Sequence, residues 1–122
     1  MPWDVTVELE NRPGTIADMG EAAAAAGVNL SGVCGFPCEG VGVLHVLVDD
    51  PEGAANAFES AGLTVRGQRE VLVVSVENEP GALGSLARRF ADVGVNVDLL
   101  YVAADHRLVL GVDDLEAGRA LV

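Results

Sequence analysis

Basic residues are scarce in this sequence. It contains 7 Lys and Arg residues against 19 Asp and Glu residues, and its formal net charge is −12 at pH 7. Such a chain has no basic surface with which to neutralise phosphate groups, so the composition argues against a nucleic-acid partner. The same shortage argues against binding to an anionic membrane surface.

Aromatic residues and cysteines are also few. Aromatic side chains make up 4% of the sequence, so the core must consist mostly of Val, Leu and Ala. The two cysteines, Cys34 and Cys38, form a C-x-x-x-C pattern, which differs from the C-x-x-C of a thioredoxin-like redox site. We interpret them as reduced thiols near a hairpin turn. A disulfide, or a metal site that includes His45, is the alternative, but three ligands without a fourth make a poor metal site. We therefore predict no metal and no cofactor.

Long hydrophobic runs are absent. The apolar stretch over residues 41–48 is interrupted by His45 and bounded by Asp49 and Asp50, and it is far shorter than the roughly 20 residues of a membrane span. The N-terminus, Met-Pro-Trp-Asp, lacks the basic segment and apolar run of a signal peptide. The expected location is therefore cytoplasmic.

The sequence nevertheless has ample apolar material for a packed core. Half of its 122 residues are hydrophobic, and the mean hydropathy is +0.35. These values are typical of a globular protein and argue against disorder. The length fits one ordinary domain or two very small ones.

The chain repeats itself after 67 residues. With this shift, the motif E-N-x-P-G followed by G-V-N occurs twice with the same internal spacing, over residues 10–29 and 77–96. Chance agreement at so many Gly, Pro and Asn positions is improbable, so the sequence predicts two copies of one structural unit. The pair Asp49-Asp50 recurs as Asp113-Asp114 at a shift of 64, so the second copy is slightly shorter between these blocks.

Each copy is predicted to begin with a strand, a turn and a helix. Apolar residues alternate over residues 4–10, which indicates a strand with one buried face. The matching strand is predicted over 71–77, where Leu72, Val74 and Val76 share the equivalent face and the opposite face is less polar than in the first copy. The Asn-x-Pro-Gly turn ends each strand, and a helix follows, over residues 15–26 in the first copy. Apolar residues at helical spacing predict one buried stripe on each helix: Ile16, Met19, Ala23 and Ala26 in the first copy, and Leu83, Leu86, Phe90 and Val93 in the second.

A hairpin and a second helix are predicted to follow. Gly27 and Gly94 occupy the position of a left-handed helix C-cap. Strands are then expected over residues 29–35 and 41–48 in the first copy, and over 96–103 and 107–112 in the second. Asp50 as N-cap and Pro51 as the first helical residue predict a helix to residue 61.

The copies are expected to end differently. The first closes with a strand over residues 63–66, followed by a tight joint at Gly67 and Gln68. The second stops within its second helix, so a partner chain or a neighbouring segment is expected to cover the exposed sheet edge. The predicted fold class is thus α+β: two tandem ferredoxin-like βαββαβ units with antiparallel sheets, of which the second lacks its last strand. The predicted domains are residues 1–68 and 69–122.

No motif in the sequence predicts an enzyme. There is no Ser/His/Asp arrangement, no G-x-x-x-x-G-K-S/T phosphate loop and no H-E-x-x-H. His45 is predicted on a strand and His106 in a turn of the other copy. Cys34 or Cys38 would be a nucleophile only beside a base that lowers its pKa, and the sequence shows none. We predict no catalytic residues.

The repeated motifs resemble the ACT domain, the amino-acid-binding regulatory domain of phosphoglycerate dehydrogenase and related enzymes. E-N-R-P-G and E-N-E-P-G, each with G-V-N at a fixed distance, carry the resemblance, which covers nearly the whole chain twice. The arrangement is similar to small stand-alone tandem ACT proteins without a catalytic domain.

The resemblance implies an amino-acid ligand at an interface between two ACT units, which a tandem protein could build within one chain. In serine-binding ACT domains, the Asn of the turn and the Asn that opens the next strand contact the ligand. The family pattern has a His two residues before the turn Asn, where this chain has Leu9 and Val76, which argues against serine but not against amino acids in general. The implied ligand-binding residues are Asn11, Pro13, Gly14, Thr15 and Asn29 in the first copy, and Asn78, Pro80, Gly81, Ala82 and Asn96 in the second.

Physical chemistry alone is compatible with this site. A turn that leads into a helix presents unpaired backbone N–H groups and a positive dipole end to a carboxylate. An Asn side chain supplies a donor and an acceptor, and a Gly allows close approach to the backbone. The alternative is that Asn11 and Asn78 only stabilise their turns. Arg12 aligns with Glu79, so the first site is expected to favour anions more, unless both are merely solvated surface charges.

Two functions follow from this reading. The first is an amino-acid-responsive regulatory module, expected to be a homodimer, in which the ligand favours one packing or association state. The second is a structural interaction subunit that regulates a partner enzyme without binding a ligand.

Overall fold

The computed structural model describes all 122 residues of the chain. The chain divides into two compact units, Met1–Arg69 and Glu70–Val122. The elements of the first follow the order βαββαβ, and those of the second the order βαββα. The α+β ferredoxin-like fold is therefore confirmed, as is the absence of a fourth strand from the second unit.

The chain forms seven strands, four helices and one short 3-10 turn. In the first unit these are β1 (Trp3–Glu10), α1 (Thr15–Ala25), β2 (Gly32–Cys38), β3 (Val41–Val48), α2 (Pro51–Ser60) and β4 (Thr64–Glu70), which ends at the unit boundary. In the second they are β5 (Leu72–Ser75), α3 (Ala82–Asp92), β6 (Val97–Ala103), the 3-10 turn (Ala104–His106), β7 (Arg107–Val112) and α4 (Leu115–Arg119). None of the helices is long and apolar enough to cross a membrane.

Each unit has its own antiparallel pairing. In the first unit the strand order is β4-β1-β3-β2, and β3 runs antiparallel to both β1 and β2. Val41, the first residue of β3, lies opposite Glu10 on one side and Cys38 on the other. The C-terminal ends of β1 and β2 therefore flank the start of β3. In the second unit the order is β6-β7-β5, and β7 runs antiparallel to both neighbours.

Each unit also has its own hydrophobic core, because its helices cover one face of its strands. In the first unit, alternate residues of β1 and β3 pack against α1 and α2, and Phe58 of α2 is fully buried. In the second, Leu86 and Phe90 of α3 pack against residues of β5 and β7. Val, Leu and Ala dominate both cores, as the scarcity of aromatic residues requires.

The predicted helix stripes are only half right. Met19, Ala23, Leu86 and Phe90 are buried as expected, but Ile16 is 61% exposed and Leu83 47% exposed. The C-terminal members, Ala26 and Val93, are exposed as well. In α1, the buried residues are Thr15, Met19 and Ala23, at a strict spacing of four. Thr15, and not the predicted Ile16, is the buried residue at the start of α1, because its hydroxyl donates to backbone carbonyl oxygens of the preceding turn.

Three strands differ clearly from the prediction, and one of them, β5, covers only Leu72–Ser75 instead of residues 71–77. β2 covers residues 32–38 instead of 29–35, so Pro37 lies within the strand and the hairpin turn is only Glu39 and Gly40. Both turn residues have positive φ (51° and 83°), the conformation that suits a two-residue hairpin. β4 extends to Glu70, so Gly67 and Gln68 belong to a strand paired with β1 and do not form a joint.

The predicted helix caps are confirmed. Asp50 accepts a hydrogen bond from the N–H of Gly53 at 3.0 Å, and Asp114 caps α4 in the same way. Gly27 and Gly94 have positive φ (72° and 75°). After α1, the N–H of Val28 donates to the carbonyl of Ala23 at 2.9 Å, which completes a Schellman motif.

Two glycine-to-alanine substitutions at α1 should have opposite effects. Gly27→Ala should lower the free energy of unfolding by about 1 kcal/mol, because an L-residue is strained at positive φ. Gly20→Ala, inside α1 and with no atom within 4 Å of the new methyl group, should raise it by about 0.5–1 kcal/mol through helix propensity. Urea unfolding of both variants measures the difference. Destabilisation of similar size in both would contradict this account of the cap.

Candidate functional site

The site predicted in each unit is the turn between a strand and the following helix. We call residues 10–15 the first corner and residues 77–82 the second corner. In the first corner the N–H of Arg12 donates to the carbonyl oxygen of Glu10, and in the second the N–H of Glu79 donates to that of Glu77, both at 2.9 Å. Gly14 and Gly81 precede their helices with φ values of 95° and 90°. The two backbones thus follow the same path, and its left-handed step requires glycine.

One side chain fixes the first corner and has no counterpart in the second. Thr15 is buried, and its hydroxyl donates to the carbonyl oxygens of Glu10 (2.7 Å) and Arg12 (3.1 Å). The first turn of α1 is thereby tied to the end of β1. Ala82 occupies the equivalent position in the second corner and cannot form such a tie.

Removal of the Thr15 hydroxyl should loosen the first corner. Thr15→Val keeps the shape but removes the hydroxyl that ties the first turn of α1 to the two carbonyl oxygens, so the free energy of unfolding should fall by about 1–2 kcal/mol. Thr15→Ser keeps the hydroxyl and should retain most of the stability. Urea unfolding compares the two variants, and a Val variant as stable as the Ser variant would show that the tie contributes nothing.

The charges at the two corners differ. Nε of Arg12 lies 2.6 Å from Oε2 of Glu10 in an exposed ion pair, and Nη1 is 3.4 Å from the carbonyl oxygen of Pro13. The hydrogen bond from Arg12 to Glu10, together with the charge of Glu10, raises the pKa of Arg12 above its usual value. The second corner has Glu77 and Glu79 at the matching positions. The first corner therefore presents both signs of charge, whereas the second corner itself carries only carboxylates.

The corner asparagines point into solvent. Asn11 and Asn78 are exposed, and the turns around them are held by the backbone hydrogen bonds and the left-handed glycines described above. Pro13 and Pro80 are exposed beside them. The polar groups of both asparagines are thus directed to the surface of the corner.

The other two predicted asparagines lie at the far end of each unit. Nδ2 of Asn29 donates to Ser31 at 3.3 Å, and the N–H of Asn96 donates to Asp113 at 3.0 Å. Asn29 precedes β2, next to the end of β3, whereas Asn11 follows β1 next to the start of β3. The length of β3 thus separates them by roughly 24 Å within one unit. A single unit does not bring these two predicted residues together.

Two cavities meet at the first corner. The larger, of about 620 Å³, is lined by Glu8, Glu10, Arg12 and Asp18 together with the loop between α2 and β4. The smaller, of about 300 Å³, extends from Asn11 and Arg12 between the first turn of α1 and the end of β2. The corner is therefore the shared wall of a polar cavity and a mainly apolar one.

The cavities of the second unit are arranged differently. One of about 240 Å³ includes Glu77, Glu79 and Arg89. Another of about 320 Å³ lies between α3 and β6 and is lined almost entirely by apolar residues such as Leu83 and Leu100. The apolar cavity does not include the residues of the second corner.

One polar cluster was missed by sequence reasoning. Asp4 is fully buried, Nδ1 of His45 lies 2.9 Å from its Oδ2, and the Thr6 hydroxyl donates to the same oxygen at 3.3 Å. Thr6 and His45 are register partners on β1 and β3, so the pairing that unites them is not visible in the sequence. No group of three or more His, Cys, Asp and Glu side chains is placed to hold a metal ion, and Cys34 and Cys38 are both free thiols.

Comparison with known proteins identifies the fold. No protein-family model and no curated protein sequence matches the chain. A protein of Bacteroides thetaiotaomicron superposes with a TM-score of 0.84 at 24% sequence identity, over 98% of this chain and 84% of that one. The regulatory subunit of aspartate kinase from Thermus thermophilus, in its ligand-free form, gives 0.75 at 16% identity, over 98% and 87% of the two chains. The same subunit from Thermus flavus gives 0.73 at 17%, over 98% and 90%. These similarities establish an ACT-like fold.

Proposed function

We propose that this chain is a regulatory module that binds a free amino acid at its first corner and has no catalytic role. The observation that carries the proposal is the combination, in one exposed turn, of a cation, an anion, an asparagine amide and the start of α1. A free amino acid is a zwitterion, and few small ligands need both charge signs within one short turn. The fold shared with regulatory subunits of aspartate kinase supports a regulatory role.

The carboxylate of the ligand is proposed to lie at the start of α1. The first N–H groups of a helix have no partner within the helix, and the helix dipole favours negative charge there. Gly14 presents its N–H without a side chain beside it, and Pro13 holds the preceding turn. Arg12, whose guanidinium is exposed at the same turn, adds a positive charge.

The ammonium group of the ligand is proposed to face Glu10 and the amide oxygen of Asn11. Glu10 is exposed and paired with Arg12, and an exposed ion pair of this kind contributes little stability by itself. A zwitterionic ligand can therefore replace this ion pair, with its carboxylate bound to Arg12 and its ammonium group bound to Glu10. Thr15 then acts indirectly, because it fixes the corner without offering its hydroxyl to the ligand.

Regulation requires that the ligand bind one state of the protein better than another. We propose that this state is an assembly with a second copy of the chain, which closes the solvent side of the corner. Asn29 is then a proposed contact from the partner copy, since its own unit holds it far from Asn11. The second corner, with Asn78, Pro80, Gly81 and Ala82, and Asn96 at the far end of its unit, is the corresponding but chemically different candidate.

A thermal-shift screen over the common amino acids tests the proposal. A ligand at about 100 times its Kd should stabilise the fold by roughly 2.7 kcal/mol. Asn11→Ala and Arg12→Gln should each weaken the response about tenfold or more, because each removes a hydrogen-bonding or charged contact to the ligand. Asn56→Ala, an exposed asparagine on α2, is the matched control and should respond like the wild type. A wild-type response that survives in both corner variants would refute the site.

The second candidate function is a structural subunit that binds a partner enzyme without a ligand. The observation in its favour is β5, a short strand that lies at the edge of the second unit's strands. Such an edge can accept a strand from another chain. A chain that forms a stable complex with an enzyme, and whose stability responds to no amino acid, would favour this function over the first.

A further inference from the structure

We infer that the ligand of the first corner is an amino acid with an apolar side chain, and that the second corner does not bind it, so that each chain takes one ligand. This inference rests on the proposed function and specifies its ligand class. The proposed position of the ligand side chain is the 300 Å³ cavity, which begins at the corner residues Asn11 and Arg12 and continues as an apolar groove.

The walls of this groove are apolar side chains left in contact with water. Ile16 on the first turn of α1 is 61% exposed, and Val33 on β2 is 45% exposed. Leu44 of β3 lies beneath them. A ligand side chain that covered these groups would remove apolar surface from water on both partners, which favours binding.

Two glycines form the floor of the groove. A methyl group at Gly35 would lie 2.9 Å from Cγ of Leu44, and one at Gly42 would lie 2.6 Å from Cδ1 of Leu9. Both leucines therefore occupy space that a side chain would otherwise take, and the floor stays low. A side chain at either position would therefore have to displace a leucine of the floor.

The groove has polar groups only at its corner end. Beyond Glu10, Asn11 and Arg12, its lining consists of apolar residues, glycines and the methyl side of Thr15, whose hydroxyl is already bonded to the backbone. A charged or amide side chain of a ligand would lose water there without gaining a hydrogen bond, which is unfavourable. The chemistry of the lining thus selects against polar amino acids.

In the second unit the corner and the apolar cavity lie apart, whereas in the first unit they adjoin. Val102 replaces Gly35, because both pair with equivalent leucines of the next strand, Leu108 and Leu44. Val102 is itself exposed, so it adds a side chain where the first groove has none. The apolar cavity between α3 and β6 does not reach the second corner, which also has Glu79 in place of Arg12. A zwitterion with an apolar tail therefore finds no single site there.

Calorimetric titration of the full chain tests the inference with matched variants. Leu, Ile and Phe should bind with a stoichiometry near one per chain, and Ser, Asp and Lys at least about tenfold more weakly. The double variant Ile16→Ala/Val33→Ala should weaken binding of Leu and Phe by roughly tenfold or more, since it removes apolar groove walls. Leu83→Ala/Leu100→Ala changes the equivalent positions of the second unit and should leave binding within about twofold of wild type.

A further variant adds a side chain to the groove instead of truncating its walls. Gly35→Val reproduces the side chain of the second unit and should abolish binding of Leu and Phe, and circular dichroism establishes whether it folds. If it does not fold, the surface substitutions at Ile16 and Val33 still decide the matter, because exposed residues tolerate truncation.

The outcomes separate this inference from the proposed function. Three outcomes would overturn the ligand class while leaving an amino-acid module in place. They are binding of polar amino acids as tight as that of apolar ones, two equal sites per chain, and a loss of binding in the Leu83/Leu100 variant but not in the Ile16/Val33 variant. No binding of any amino acid would overturn both.

Discussion

The pairing of β3 with both β1 and β2 is the constraint on which the rest of the first unit depends. Because Val41 lies opposite both Glu10 and Cys38, the first corner and the end of β2 must lie at the same end of the sheet. This register places the first corner beside the C-terminal end of β2, although more than 20 residues separate the corner from that end in the sequence. It also places Asn29 at the opposite end. A shift of one residue would reverse which side chains of β3 face the helices, and the core therefore fixes the register.

The two units have similar backbone geometry but differ in the chemistry of their side chains. Both corners have the same backbone hydrogen bond and the same left-handed glycine, and both second helices begin with an aspartate cap. Differences fall on positions that the backbone does not require: Thr15 against Ala82, Arg12 against Glu79, and Gly35 against Val102. The two units thus have the same corner backbone but different side-chain chemistry at it.

Much of the fold could be predicted from the sequence, because the same pattern of turns, helices and strands occurs twice. The Gly, Pro, Asn and Asp residues act locally, so the turns, the C-caps at Gly27 and Gly94 and the N-cap at Asp50 followed from position alone. The exposure of Ile16 and Leu83 could not be predicted, since apolar spacing does not show which side of the first helical turn is buried. In α1 the buried residue is Thr15, whose hydroxyl bonds to the corner. The extent of β4 through Gly67 depends on pairing with β1, and the contact of Asp4 with His45 depends on register. The corner residues of the candidate site were named from the sequence, whereas the groove beside them depends on side-chain packing across three elements.

The ion pair between Arg12 and Glu10 has a consequence for how strongly the first corner could hold the proposed ligand. An incoming carboxylate does not meet a bare guanidinium; it replaces one carboxylate by another, and the ammonium makes the reciprocal exchange. Because both partners of an exposed pair are well hydrated before and after such an exchange, the net electrostatic gain is small. In the proposed complex, charge then orients the ligand, while the apolar wall supplies most of the affinity. A receptor built in this way is suited to follow a metabolite that is abundant and fluctuating, and not to sequester a scarce one.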